Sequence, residues 1–127
     1  MAERRRALAG LDPSVRSAAE WAIWWADHYD VPVTVTSGFR DWASQRRLYD
    51  NYQSCLSRGA MGRTPECQYP ANRPGDSSHN WGLAWDSTTD RGYQEWWNMV
   101  RRAAGFEVLP HDQIHAQVPS WRDYVRG

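Results

Sequence analysis

Apolar positions along the chain switch between the helical and the strand period, and the switches divide it into elements. Over residues 13 to 29, Val15, Ala18, Ala22, Trp25 and Tyr29 recur at intervals of three and four, which lines one face of a helix. Asp12-Pro13 stands ahead of them as an N-cap followed by proline at the first helical position. Asp30 and Pro32 close this helix, and its tryptophans are expected in the core. Val31-Pro32-Val33-Thr34-Val35-Thr36 is alternating and β-branched, a strand that delivers Ser37-Gly38-Phe39-Arg40 at its end. Asp41 caps a second helix running to about residue 57, with Trp42, Gln45, Leu48, Tyr49 and Tyr52 on one face. Residues 58 to 77 hold Gly59, Gly62, Pro65, Pro70, Pro74 and Gly75. This is a loop without regular structure, longer than ordinary connections and expected to wall a cleft. Its Tyr69, Asn72 and Arg73 are either solvated or in reach of a bound peptide.

The second half alternates more tightly. In Leu83-Ala84-Trp85-Asp86 the strand period puts Leu83 and Trp85 on one face and Ala84 and Asp86 on the other. A third helix spans residues 91 to 104, with Tyr93, Trp96, Trp97, Val100 and Ala104 as its stripe and Gly105 in the C′ position. Phe106-Glu107-Val108 reads as a short strand. Ile114, Ala116 and Val118 then alternate with His115 and Gln117, a strand with a histidine on its polar face. The tail, with Trp121 and Tyr124, is expected to pack back on the core.

The candidate chemistry centres on Ser77-Ser78-His79-Asn80-Trp81-Gly82-Leu83-Ala84-Trp85-Asp86. A turn at Gly82 can fold His79 back beside Asp86. One imidazole and one carboxylate are reasonable zinc ligands, but a catalytic zinc takes three from the protein and keeps a position open for water. Three other histidines exist. His28 falls on the first helix beside Asp27 and Tyr29 and reads as a helix-surface residue. His115 faces the polar side of its strand. His111, four residues earlier, would share a face with it on a helix, but Pro110 and the alternation argue for a strand, which leaves His111 in reserve. Asp112, three residues before His115, is placed to act as a general base.

These residues resemble the Ser-x-His-x-x-Gly-x-Ala-x-Asp motif of the zinc D,D-peptidases of peptidoglycan, a family that includes D-Ala-D-Ala carboxypeptidases, dipeptidases and phage endolysins. Ser78, His79, Gly82, Ala84 and Asp86 match it position by position. Asp112 and His115 match the family's acid-x-x-His. Ser37-Gly38-Phe39-Arg40, followed by Gln45, Leu48 and Tyr49, matches its Ser-Gly-(Phe/Tyr)-Arg motif with the Gln and Leu-Tyr that follow. The resemblance covers residues 37 to 115. It implies an α+β fold with a small antiparallel sheet and helices packed on it, of the Hedgehog/D,D-peptidase kind. It implies Zn2+ held by His79, Asp86 and His115, with Asp112 as base. Arg40 would grip a substrate carboxylate or the developing oxyanion, and Ser78 and Gln45 join it in binding substrate, with Gln45 fastening the loop from behind. The implied substrate is the peptide stem of bacterial peptidoglycan. Many relatives carry Glu-x-Trp-His where this chain has Asp112-Gln113-Ile114-His115, a departure that favours a phage-type L-Ala-D-Glu endopeptidase over a D-Ala-D-Ala carboxypeptidase and leans away from the dipeptidases.

Composition narrows the alternatives. The 127 residues suit one domain, residues 1 to 127, and a monomer. Cationic and acidic residues balance at 15 each, so no basic field invites nucleic acid. Every cation is arginine and there are nine tryptophans, a bias that resembles a GC-rich coding sequence as much as selection. The basic start lacks the apolar run of a secretory signal, and the longest apolar run, residues 21 to 26, is far short of a membrane span. The expectation is a protein made in the cytoplasm that reaches the wall through a phage holin or in a phage particle. Cys55 and Cys67 suit either a disulfide or two free thiols. A nucleobase deaminase is excluded because His-x-Glu and Pro-Cys-x-x-Cys are missing. A non-catalytic zinc module that binds the wall remains the rival to an enzyme.

Overall fold

A computed structural model describes residues 6–126. Helix α1 is Pro13–His28, strand β1 Val33–Ser37 and helix α2 Trp42–Ser57. Strand β2, Ala84–Thr89, is followed by α3, Gln94–Ala103, β3, Glu107–Leu109, β4, Asp112–Gln117, and α4, Trp121–Arg126. The four strands form one sheet in the order β1-β2-β4-β3, antiparallel at every pairing. The fold is therefore the α+β arrangement expected. The long loop is not wholly irregular: Pro65–Cys67 makes one 3-10 turn.

The caps are where the sequence puts them. The Asp12 carboxylate accepts from the Ser14 amide at 3.1 Å, and Asp41 accepts from the Ser44 amide at 2.7 Å. Each satisfies one of the donors a helix start leaves open.

The buried stripe of α1 differs from the one expected. It is Val15, Ala19, Ala22, Ile23 and Ala26, rotated toward the small residues, while Ala18 and Trp25 are only partly buried and Tyr29 is exposed. Trp21 and Trp24 face outward as well. The alanines form its core-facing side, where it packs with α3, while the large rings pack against one another. The tryptophans that do form the core come from later elements. Trp85 and Trp97 are fully buried, edge to face at 6.0 Å, with Phe106 against Trp85 at 5.6 Å. The indole N–H of Trp97 donates to Ser87 Oγ at 2.8 Å. Trp121 in the tail is buried, whereas Tyr124 is exposed.

Helix α2 buries only Gln45 and Cys55. Trp42 and Leu48 of its expected apolar face are exposed, so it stands at the margin of the domain. The Cys55–Cys67 disulfide ties it to the long loop, which resolves the two alternatives for these cysteines.

Candidate metal centre

Sheet register assembles the site. Asp86 on β2 lies opposite His115 on β4 and opposite Ser37 on β1. Directly opposed residues of an antiparallel pair project from the same face, so the carboxylate meets the imidazole on one side and the Ser37 hydroxyl, which donates to Asp86 Oδ2 at 2.8 Å, on the other. His79 arrives from a different direction. It lies on a 3-10 turn, Ser78–Trp81, rather than on an open loop, with Ser77 as N-cap and Gly82 as the left-handed closing residue at φ 70°. A side chain at Gly82 would also stand 2.8 Å from the Asp12 amide nitrogen, so both the backbone angle and the close approach require glycine.

Three ligand atoms converge. His79 Nε2 is 3.3 Å from Asp86 Oδ1, His115 Nδ1 is 3.2 Å from the same oxygen, and the two ring nitrogens are 3.2 Å apart. His79 Nδ1 lies 2.8 Å from the Gly38 carbonyl oxygen. A carbonyl only accepts, so in the neutral ring Nδ1 carries the hydrogen and Nε2 presents a bare lone pair. A tetrahedral ion with ligands at about 2.0–2.1 Å needs ligand atoms about 3.3 Å apart, which is the spacing found. Two imidazoles and a carboxylate suit zinc better than magnesium or calcium, which prefer oxygen alone. Among the described residues this is the group of such side chains that can hold an ion. His111 is exposed and outside it, so the reserve ligand is not needed. His28 is stacked on Trp24 at 5.0 Å on the far helix.

The electrostatics follow from this convergence. Burial by itself would raise the Asp86 carboxyl, but hydrogen bonds to His115, His79 and Ser37 and the charge of His79 hold it well below the usual carboxylate range. Burial pulls the His115 imidazole down; the hydrogen bonds to Asp86 and Gln117 and the charges of Asp86 and Asp112 outweigh it and raise the group.

The second rim is built around Arg40. Its amide donates to the His79 carbonyl at 3.0 Å and its own carbonyl accepts from Asn80 Nδ2 at 2.8 Å, so the two motif loops are laced together. The guanidinium donates to Gln45 Oε1 at 3.0 Å. Burial lowers its pKa and the charge of Asp86 partly offsets this, which places Arg40 in the field of the ligand carboxylate. Gln45 in turn donates to the Asn72 carbonyl at 2.7 Å. With both ends of its amide engaged and 1% exposure, Gln45 holds the arginine and the loop rather than touching substrate. Ser78, 4% exposed, is likewise turned inward, with its hydroxyl 3.4 Å from both His115 Nε2 and Gln117 Oε1.

Asp112 opens β4 and is exposed. Its charge reaches both His115 and Arg101, and among the described residues its side chain makes no hydrogen bond. Between the pairs Val108↔Ala116 and Leu109↔Asp112, β3 advances one residue while β4 advances four. Such a bulge breaks strict alternation, so the three-residue spacing does not force Asp112 and His115 onto opposite faces.

The sequence reading missed Arg101. It is fully buried, and its guanidinium donates to the carbonyls of Ile114 at 3.1 Å and Gln113 at 2.6 Å, and to Asn98 Oδ1 at 2.6 Å. Burial, with Arg102 nearby, pushes its pKa down to about 10, still charged at neutral pH. Arg101 thus fastens the two residues between Asp112 and His115. A charged residue on the inner face of an amphipathic helix was the available signal.

Known proteins share this architecture. VanYB in complex with D-alanine-D-alanine superposes with a TM-score of 0.66 at 19% identity, over 91% of this chain and 75% of that one. A vancomycin resistance D,D-pentapeptidase VanY mutant in complex with Zn(II) gives 0.64 at 18% identity, over 91% and 76%. The L-Ala D-Glu endopeptidase ChiX of Serratia marcescens gives 0.63 at 20% identity, over 97% and 90%. No curated protein sequence matches significantly. The family model for VanY, D-alanyl-D-alanine carboxypeptidase, matches residues 9–112, a span that holds all three sequence motifs except the final histidine, and the chain therefore belongs to this family of peptidoglycan peptidases.

Proposed function

We propose that this chain is a zinc-dependent peptidase that hydrolyses the peptide stem of bacterial peptidoglycan. The observation that carries the reading is the convergence of His79 Nε2, Asp86 Oδ1 and His115 Nδ1 within 3.2–3.3 Å of one another, with a carbonyl forcing the hydrogen of His79 to the far side of its ring. Lone pairs crowded in this way repel unless a cation lies among them. Zinc bound there would lower the pKa of a coordinated water to around 7 and polarise the scissile carbonyl. The Zn(II) complex of the VanY mutant supports the choice of metal.

The chain's own residues supply the rest. Asp112, exposed and among the described residues without a side-chain hydrogen bond, accepts the proton of the attacking water and returns it to the leaving amine. Arg40, held by Gln45, stabilises the oxyanion or grips a stem carboxylate bidentately. The bond we assign is L-Ala-D-Glu, as in phage-type lysins, on the aspartate in the last motif. Cleavage of D-Ala-D-Ala by the same residues is the second reading, favoured by the family model. Digestion of purified muropeptides, read by mass, tests both. Release of the stem from L-Ala supports the first, loss of one terminal D-Ala the second, and binding to the wall with no cleavage makes the chain a zinc-containing binding module instead.

A further inference from the structure

Outside the three ligands, one polar chain runs from the metal cluster to the surface. His115 Nε2 is 2.8 Å from Gln117 Oε1, and Gln117 Nε2 donates to Glu107 Oε1 at 2.7 Å. Gln117 and Glu107 are register partners on β4 and β3, and Gln117 lies two residues from His115, hence on the same face of the strand. A carboxylate only accepts, so Glu107 fixes which end of the Gln117 amide is the NH2. The amide oxygen must then face His115. An amide oxygen also only accepts, so His115 Nε2 must carry a hydrogen, and Nδ1, 3.2 Å from Asp86 Oδ1, is the nitrogen turned to the other two ligands. Ser78 Oγ, 3.4 Å from the same amide oxygen, has room to donate to its second lone pair.

We infer that Glu107 and Gln117 act as a positioning pair that holds the Nε2–H of His115 and so leaves Nδ1 as the nitrogen that ligates the metal. The inference rests on the zinc reading above for its consequence, and on the hydrogen-bond directions for its premise. The logic repeats on the other imidazole, where the Gly38 carbonyl does for His79 what Gln117 does for His115. The difference is that Gly38 is backbone, whereas the Gln117 amide can rotate and needs Glu107 to prevent it. Partners of this kind typically change metal affinity 10- to 100-fold.

Two readouts on the metal-free protein test the pair. The first is the hydrogen on His115 Nε2, read from the nitrogen-15 shift of that atom and the rate at which its hydrogen exchanges with solvent. The parent should show a slowly exchanging hydrogen on Nε2, and Gln117→Leu or Glu107→Leu should exchange it faster. The second is affinity for zinc, by competition with a chromogenic chelator. Gln117→Leu should bind about 10- to 100-fold more weakly, and Glu107→Leu should fall between it and the parent. The exchanged variant, Gln117→Glu with Glu107→Gln, keeps an acceptor facing His115 and should recover the parent affinity. A bare Nε2 in the parent, or parent-like affinity in a folded Gln117→Leu, would overturn the inference. A parent that binds no zinc would instead sink the zinc reading, and the nitrogen-15 measurement would still decide whether Nε2 carries the hydrogen.

Discussion

The two rims of the site are built by different means. The ligand rim rests on the sheet: Asp86 and His115 are opposed on neighbouring strands, His79 is 4% exposed, and each imidazole has an acceptor behind it. The arginine rim rests on a helix that buries two residues and on a loop fastened by a few ties. Gln45 holds the Asn72 carbonyl, Asn51 donates to the Glu66 carbonyl at 2.7 Å, and Cys55–Cys67 joins helix to loop. On the proposed function, the stem peptide would meet both rims. A metal site needs ligands fixed to a few tenths of an ångström, while a wall that admits a peptide can be looser. Metal binding should therefore be insensitive to the loop, and turnover should depend on both.

The largest effects should come from the ligand rim. His79→Ala or His115→Ala should abolish stoichiometric zinc in elemental analysis, and hydrolysis with it, whereas His111→Ala should leave both unchanged. Stoichiometric zinc in His115→Ala would break the assignment. One step outward, Asp112→Asn should retain full zinc and fold while muropeptide hydrolysis falls about 10²- to 10⁴-fold. Loss of zinc there would make Asp112 a ligand.

On the arginine rim, Arg40→Ala should keep zinc and melt near the parent temperature while losing on the order of 10²- to 10³-fold in turnover. Normal turnover would leave Arg40 without a part in the reaction and erase the distinction between the rims. Replacing Cys55 and Cys67 by serine removes a cross-link over 12 positions, worth about 3 kcal/mol in the chain-entropy account. It should lower the melting temperature but leave zinc affinity unchanged, and a fall in affinity would mean that the loop supports the metal after all.

A smaller effect should appear in the metal-free protein. The raised pKa of His115 means that the folded state holds its proton more tightly than the unfolded chain. That stabilisation is complete below the unfolded value near 6.5 and disappears as pH rises through the raised folded value. Thermal melts of the metal-free protein should thus weaken from mildly acid to alkaline pH. Zinc, which replaces the proton, should remove the loss.

The residues of the site were legible in the sequence because they lie in three motifs with fixed spacing, and the strand period alone put Asp86 opposite Trp85. The supporting set was not. Gln117 and Glu107 meet only through the β3–β4 register, which no local pattern specifies. Arg101 reads as a polar interruption until the carbonyls it holds are known. The core face of α1 was misread because periodicity counts large rings as apolar wherever they fall. Its core-facing side is mostly alanine, a packing demand set by the partner surface. The inward turn of Ser78 also follows from tertiary contacts rather than from spacing.

The central claim is that one zinc at His79, Asp86 and His115 makes this chain a peptidoglycan peptidase. The most direct measurement removes metal with a chelator and returns zinc stepwise while muropeptide cleavage is followed by mass. The account predicts no cleavage without metal, a linear rise, and a break at one equivalent of zinc per chain. Cleavage that persists in the stripped protein, or zinc bound at one equivalent with no cleavage of any stem bond, would contradict it.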